Sequence, residues 1–486
     1  MNRPPYRLFL CGVFLFLEEV RELRTEEKRY AVKTIAGDAL TPISIFQSIH
    51  GRKKCLLESS LKHEESGRYS FIAADPFAEL IGINGQAIFE YPSNKQKPFD
   101  GKPVSLLKEL IEQYRIDTNE SPVAGGAIGY IGYDEAASYE DVGKTPADKL
   151  NMPDTHLMLY STIISYDHKR HEVTIFTFDP DQRNSADELE TKIDELVSQI
   201  FDFSRVSLQP EQTEILHYQS NMAKETYEKH VEEAKEYIRA GDIFQIVLSQ
   251  RLSAPFNGSP FSFYRNLRKD NPSPYMFYID FEDYIVLGAS PESLIKVNDK
   301  HVTTNPIAGT RKRGKTELED QQLAEELLND EKECAEHKML VDLGRNDLGR
   351  VCETGSITLS KFMVIERYQH VMHIVSEVKG ILKPEINGLD ALIAALPAGT
   401  VSGAPKIRAM QLINHFEPVK RGVYAGAVGY AGFNGALDFA LAIRTMVIKD
   451  QTAHVQAGAG IVYDSVPESE YEETLNKAKS LLEVGR

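Results

Sequence analysis

The chain has 486 residues, 42% of them apolar and 26% charged, and a formal net charge of −17. These are the proportions of a globular protein, long enough for about one to three domains. The acidic balance argues against a nucleic-acid or anionic-membrane partner, and no apolar run reaches the ~18 residues that span a bilayer. A site for an anionic substrate in such a chain must concentrate cation locally, as Arg, Lys or a metal. Cys11, Cys55, Cys334 and Cys352 include no CxxC pair and no zinc-spaced Cys/His cluster. Free thiols in a reducing cytoplasm are the expectation.

At the start, Arg7 to Leu17 sets a basic residue ahead of a short apolar stretch, but Glu18, Glu19, Arg21 and Glu22 follow with no small-residue cleavage site. The segment reads as a buried first element or a non-native leader, not as a signal peptide. Residues 26–203 read as a β-rich part, with strands at 55–59, 69–73 and 172–178 between turns of Gly, Pro, Asn and Asp. Within it, Leu189, Ile193, Leu196 and Ile200 predict a helix over 187–201. Residues 204–223 are polar, contain Pro210, and read as a linker. From 224 to 486 the pattern changes. Tyr227, Val231, Ala234 and Ile238 form a helical stripe, Gly241 stands at its C-cap position, and residues 243–252 read as a strand. Strand and helix patterns then alternate to the end, which predicts an α+β fold of layered β-sheets with flanking helices. One internal echo occurs: residues 126–133 (GAIGYIGY) resemble 426–433 (GAVGYAGF), and the glycines imply strands that approach closely.

Two glutamate pairs stand out. Glu333 and Glu336 fall three apart on a helix predicted over 317–343, and Glu470 and Glu473 fall three apart on the last helix. Such spacing puts both carboxylates on one helix face. If the helices meet, four carboxylates converge, and an all-oxygen set with room for water suits Mg²⁺. By spacing alone the alternative is two solvated acidic faces. Gly-rich turns at 306–311, 397–406 and 456–460 can present backbone N–H groups to carboxylates, or can be plain turns. None is a P-loop or a dinucleotide fingerprint. His373 is either a structural histidine or a proton shuttle. Arg444 is placed by its neighbours on an apolar strand, where its partner is an internal carboxylate or a substrate's. Asp342, Arg345, Asn346 and Asp347 read as a polar turn after the helix.

Taken in order, the segments AGDIFQ (240–245), PIAGT (306–310), AEHKMLVDL (335–343), TVSGAPK (400–406) and EYEE (470–473) resemble the chorismate-utilising enzymes, most closely the large subunits of anthranilate synthases. The resemblance runs from about Leu40 to the C-terminus and is densest from Gly241 to Lys477. It implies Glu336 and Glu473 as Mg²⁺ ligands, with Glu333 and Glu470 in direct or water-mediated contact, the metal holding the ring carboxylate of chorismate. It implies Gly309, Thr310, Tyr424, Arg444, Gly458, Ala459 and Gly460 as substrate-binding. Glu292 maps to the acid that protonates the leaving C4 hydroxyl, His373 to the pyruvate-eliminating half and Thr400 to a polar residue near the ring. Relatives that use water carry Lys where this chain has Gln245, and many aminodeoxychorismate synthases carry Lys where it has Ala308. The implied product is therefore anthranilate, with aminodeoxychorismate the alternative; a non-catalytic amino-acid sensor is the reading from another class. Glu58, Ser59, Pro274, Tyr275 and Met276 resemble a tryptophan feedback site. No amidotransferase cysteine motif is present, so a separate glutamine amidotransferase subunit is the implied ammonia donor.

Overall fold

The computed structural model describes residues 30–59, 67–93, 95–211, 214–215, 217–368 and 371–484. The segment Arg7 to Leu17 and Cys11 lie outside the described residues. Among those described, strands form a 13-stranded and a 12-stranded sheet, and all neighbouring strands in them pair antiparallel. The first sheet runs from Tyr30–Ala36 through Glu172–Phe178, Thr162–Asp167, Tyr69–Ala73 and Cys55–Glu58. It continues through Tyr275–Asp280, Tyr284–Ser290, Thr445–Lys449, Thr452–Ile461 and Gln245–Asn257 to Glu214–Ile215. The second runs from Ile307–Lys312 and Val371–Ile381 through Leu437–Leu441, Ala427–Gly432 and Gly126–Ile131 to Gln96–Phe99. Strands from before and after residues 204–223 thus share both sheets. Within 204–223, Glu214–Ile215 and Gln219–Ser220 themselves pair with Gln245–Asn257.

Strand periodicity explains the layering. Along Tyr275–Asp280, Phe277 and Ile279 join Ile128, Tyr130, Met158 and Tyr160 in a core between the sheets. Met276 and Tyr278 face the other way, onto a core covered by helices that include Pro260–Asp270 and Pro467–Leu482. A third core, with Leu157, Leu159 and Phe439, lies under helices Pro103–Gln113, Gly388–Ala395 and Lys406–Phe416. Each fully buried aliphatic or aromatic side chain in these cores contributes roughly 1.5–3 kcal/mol. The α+β layering matches the expectation.

The echoing segments are neighbours in space. Gly129 pairs directly with Gly429 in adjacent strands. A Cβ on Gly129 would meet His156 O at 2.1 Å, and one on Gly429 would meet Asp438 O at 2.1 Å. Both strands are therefore confined to glycine by backbone on their far sides.

The elements that carry the candidate site are, in chain order, β1 (Gln245–Asn257), α1 (Pro260–Asp270), α2 (Glu317–Asn329), α3 (Glu331–Gly349), β2 (Val371–Ile381), β3 (Thr452–Ile461) and α4 (Pro467–Leu482). Three local expectations need correction. The helix predicted over 317–343 is two helices, broken at Asp330, whose side chain accepts from Lys332 N and Glu333 N and so caps α3. The N-cap bond competes with continuing the helix, and the run of good helix formers conceals it. Asp342 to Asp347, read as a turn, lie inside α3, where Asp347 pairs with Lys406 at 2.8 Å. Arg444 is not on a strand: with φ +49 it occupies the bend between Leu437–Leu441 and Thr445–Lys449.

Candidate active site

Glu292 sits where the chain crosses from the first sheet (Tyr284–Ser290) to the second (Ser293–Asn298). Its backbone is held from both sides: Glu292 N donates to Ser290 Oγ at 3.3 Å, and Leu441 N donates to Glu292 O at 3.0 Å. The side chain is buried. Thr400, on the short 3₁₀ turn Gly399–Val401, donates from Oγ1 to Glu292 Oε1 at 3.0 Å. Burial pushes this carboxyl up to about 8, against the opposing pull of the Thr400 hydrogen bond and the Lys477 charge. At neutral pH it is mostly a carboxylic acid, poised to donate a proton.

His373 lies on β2, paired with Thr310 on the neighbouring strand. Its Nδ1 is 3.1 Å from Gly309 O and 3.0 Å from Thr310 Oγ1. The carbonyl accepts only, so the ring proton belongs on Nδ1, leaving the lone pair on Nε2. Burial, with the Arg444 charge, holds the imidazole below its usual pKa and so neutral. Gly309 makes this geometry possible: at φ +73 it forms a bulge between Ala308 and Thr310, and Leu327 and Glu333 crowd the space a Cβ would take.

The glycine run of β3 is shaped by its neighbours. A Cβ at Gly458 would meet Tyr424 Oη at 2.8 Å, and one at Gly460 would meet Gln245 Nε2 at 2.7 Å. Glycine there admits a buried phenol and an amide against the strand. Tyr424 is pushed up to about 12 by burial and remains a neutral donor. Gln245, on β1, donates from Nε2 to Glu336 Oε1 at 3.2 Å, while its buried Oε1 has no hydrogen-bond partner among the described residues. Ala459, between the two glycines, is fully buried. Arg444 is half-buried, its charge disfavoured by burial, and forms no ion pair among the described residues; the nearby Tyr424 phenol opposes the shift. Such a guanidinium is available to an anionic ligand.

The four glutamates lie on two helices, α3 and α4, whose charges reach one another. Lys332 of α3 acts on Glu470 of α4, and Lys477 of α4 acts on Glu336 of α3. Glu336 is raised by burial and by Glu333, and Glu470 by burial and by Glu473. Glu333 pairs with Arg311 at 3.2 Å and Glu473 with Lys477 at 2.7 Å. Among the described residues no three His, Cys, Asp or Glu converge into a metal cage. The donor set is all oxygen, with Glu336 and Glu470 raised, and fits an ion such as Mg²⁺ that keeps waters and uses few protein ligands.

Glu58, Ser59, Pro274, Tyr275 and Met276 are brought together at one strand end but straddle the sheet. Glu58 pairs with Met276, and Ser59 Oγ donates to Pro274 O at 2.9 Å. Glu58 points toward α1, where Tyr264 Oη donates to it at 2.7 Å and Arg268 pairs with it at 2.9 Å. Tyr275, one residue before Met276, faces the opposite side, near Asp438 and Tyr430 of the second sheet.

The family model for chorismate binding enzymes matches residues 53–483. The chain belongs to that family. It is 47% identical over 458 residues to anthranilate synthase component 1 of Lactococcus lactis, covering 94% of this chain and 99% of the relative. It is 43% identical to the protein of that name from Acetivibrio thermocellus, covering 97% and 98%. Its structure matches that of anthranilate synthase component I from Streptococcus pneumoniae with a TM-score of 0.78 at 44% identity, covering 92% and 98%. The menaquinone-specific isochorismate synthase of Escherichia coli shares the fold, with a TM-score of 0.71 at 20% identity. The protein is thus a chorismate-utilising enzyme. Within that family's site, sequence reasoning passed over Lys477, whose ammonium bonds Glu473 and donates to Gly458 O at 3.0 Å. Its charge also reaches Glu292, Glu336 and Glu470. The available signal was a lysine four residues after Glu473, on the glutamate face of α4.

Proposed function

We propose that the protein catalyses the conversion of chorismate and ammonia to anthranilate and pyruvate, the first step of tryptophan biosynthesis, in the cytoplasm. Glu292 carries the reading: a buried carboxyl raised to about 8 and gripped by Thr400, in the reach of the Lys477 charge. Ammonia forms a C–N bond at C2 as the C4–O bond breaks, and Glu292 supplies the proton with which hydroxide leaves as water. General acid catalysis of this kind is worth about 10²–10⁴-fold. In the second half the C2 proton is removed, the C3–O bond breaks, and the enolpyruvyl side chain leaves as an enolate that takes a proton at its methylene carbon to become pyruvate. His373 Nε2 offers the lone pair for removal of the C2 proton. Arg444 and the Tyr424 hydroxyl hold substrate oxygens, and Gln245 Oε1 accepts a hydrogen bond from the incoming ammonia. Gln245 has no basic amine with which to activate water, which favours ammonia as the nucleophile.

Glu336 and Glu473, with Glu333 and Glu470 beside them, would hold a Mg²⁺ ion, which would supply positive charge to offset the ring carboxylate. The ammonia comes from a separate glutamine amidotransferase subunit, and tryptophan inhibits by binding near Ser59 and Pro274 to Met276. The relatives' names, which number the protein as a first component, support a partner subunit. The test is to incubate the purified chain with chorismate, Mg²⁺ and ammonium at mildly alkaline pH and follow anthranilate fluorescence with and without tryptophan. A Mg²⁺-dependent signal that falls with tryptophan supports the reading. Aminodeoxychorismate in its place moves the protein to folate synthesis, and silence in both assays refutes the activity.

A further inference from the structure

The outer edge of β1 has a gap in its strand pairing. Gln245 and Ile246 pair with Gly403–Ala404, and Leu252 and Ser253 pair with Gln219–Ser220, but residues 247–250 have no strand neighbour on that side among the described residues. A buried ion pair fills part of the gap. Arg421 Nη2 donates to Val247 O at 2.7 Å, and Glu417 Oε1 accepts from Ser249 N at 2.9 Å and from Ser249 Oγ at 2.8 Å. The partners meet at 2.6 Å, with side chains 1% and 4% exposed, so both are sealed from water. On the opposite edge of β1, Val247 pairs with Gly460 and Ser249 with Gly458. The pair therefore grips β1 directly behind the glycines that admit Tyr424 and Gln245.

Arg421 reaches two more parts of the site. Its Nη1 donates to Val401 O at 2.7 Å, fixing the turn whose middle residue, Thr400, holds Glu292. Its guanidinium lies 5.5 Å from the Tyr424 ring centroid. Four hydrogen bonds in one plane, two to Glu417 and two to carbonyls, use the fork of a guanidinium and exceed what an ammonium can form. We infer that Arg421, locked by Glu417, is a positioning residue for the reaction proposed above, setting the Thr400–Glu292 contact and the seat of Tyr424 without touching substrate. The inference rests on that reaction.

The test is a double-mutant cycle on the full chain with R421K, T400V and the double variant, read as kcat and chorismate KM with ammonium, alongside thermal unfolding. R421K is expected to unfold cooperatively, to lose at least tenfold in kcat, and to add little to the loss in T400V, because both act on one contact. A lower Tm with kcat and KM unchanged overturns the inference, as do losses in kcat that multiply in the double variant. If R421K does not fold, E417Q, which keeps the shape of the acceptor, takes its place in the cycle. If the wild-type chain makes no anthranilate, the functional reading fails by itself. The positioning claim is then decided by the crystal structure of the Arg421 or Glu417 variant: an intact Thr400–Glu292 hydrogen bond overturns it, and a broken one supports it.

Discussion

Thr400 Oγ1 donates to Glu292 Oε1 at 3.0 Å, joining a crossover between the two sheets to a short turn packed against α3. The bond fixes which way the carboxyl faces and, because it favours the charged form, limits how far burial raises the pKa. Function needs the protonated form of Glu292, so at constant free ammonia the rate of anthranilate formation should be highest below about 8 and fall as pH rises through that value. E292Q should lower kcat by about 10²–10⁴-fold and abolish this alkaline limb. T400V should move the limb to higher pH, because it removes a hydrogen bond that stabilises the carboxylate. A pH–rate profile of the three proteins checks both statements. An unmoved limb in E292Q would assign it to another group.

Arg444 should act mainly in binding. Losing a charged hydrogen bond to a substrate carboxylate costs about 1.5–3 kcal/mol, so R444A should raise the chorismate KM by roughly 10–150-fold. Lysine keeps the charge but not the fork, so R444K should recover only part. A fall in kcat at unchanged KM would contradict this role.

Gly460 leaves room for Gln245, so G460A should push the amide aside. The obstructing atom is the end of a side chain, so Tm should shift by only a few degrees. The ammonium KM should rise while the chorismate KM changes less. Titrating ammonium at saturating chorismate separates the two.

Chelation should abolish activity, and Mg²⁺ should restore it. E336Q and E473Q should each raise the Mg²⁺ concentration needed for half-maximal rate, because each removes one of the few protein oxygens available to the ion. Calorimetric titration of Mg²⁺ into the variants gives the same comparison without turnover. Unchanged Mg²⁺ affinity in both variants would rule out this ligand pair.

Tryptophan should inhibit, and S59A should raise the concentration for half-inhibition, because Ser59 holds the Pro274 carbonyl at the mouth of the proposed pocket. Glu58 is already paired with Arg268 and bonded by Tyr264. If it takes the tryptophan ammonium, that contact must compete with Arg268, so R268Q should tighten inhibition. A dose–response curve for each variant decides.

The sequence by itself determined the family and the α+β layering, and with the family the use of chorismate. Hydrophobic period and long ordered motifs such as AEHKMLVDL are local properties, readable without partners. It also showed the echo at 126–133 and 426–433, but not that Gly129 and Gly429 face each other across one pairing. Only the tertiary structure decided that Asp330 breaks the helix before Glu333, that Arg444 sits at a left-handed bend, and that Lys477 stands among the glutamates of two helices. It alone placed the Arg421–Glu417 pair in the unpaired edge of β1. The physical reason is the same in each case. Charge, burial and close approach depend on which atoms meet across hundreds of residues of chain, whereas periodicity and capping depend on neighbours a few residues away.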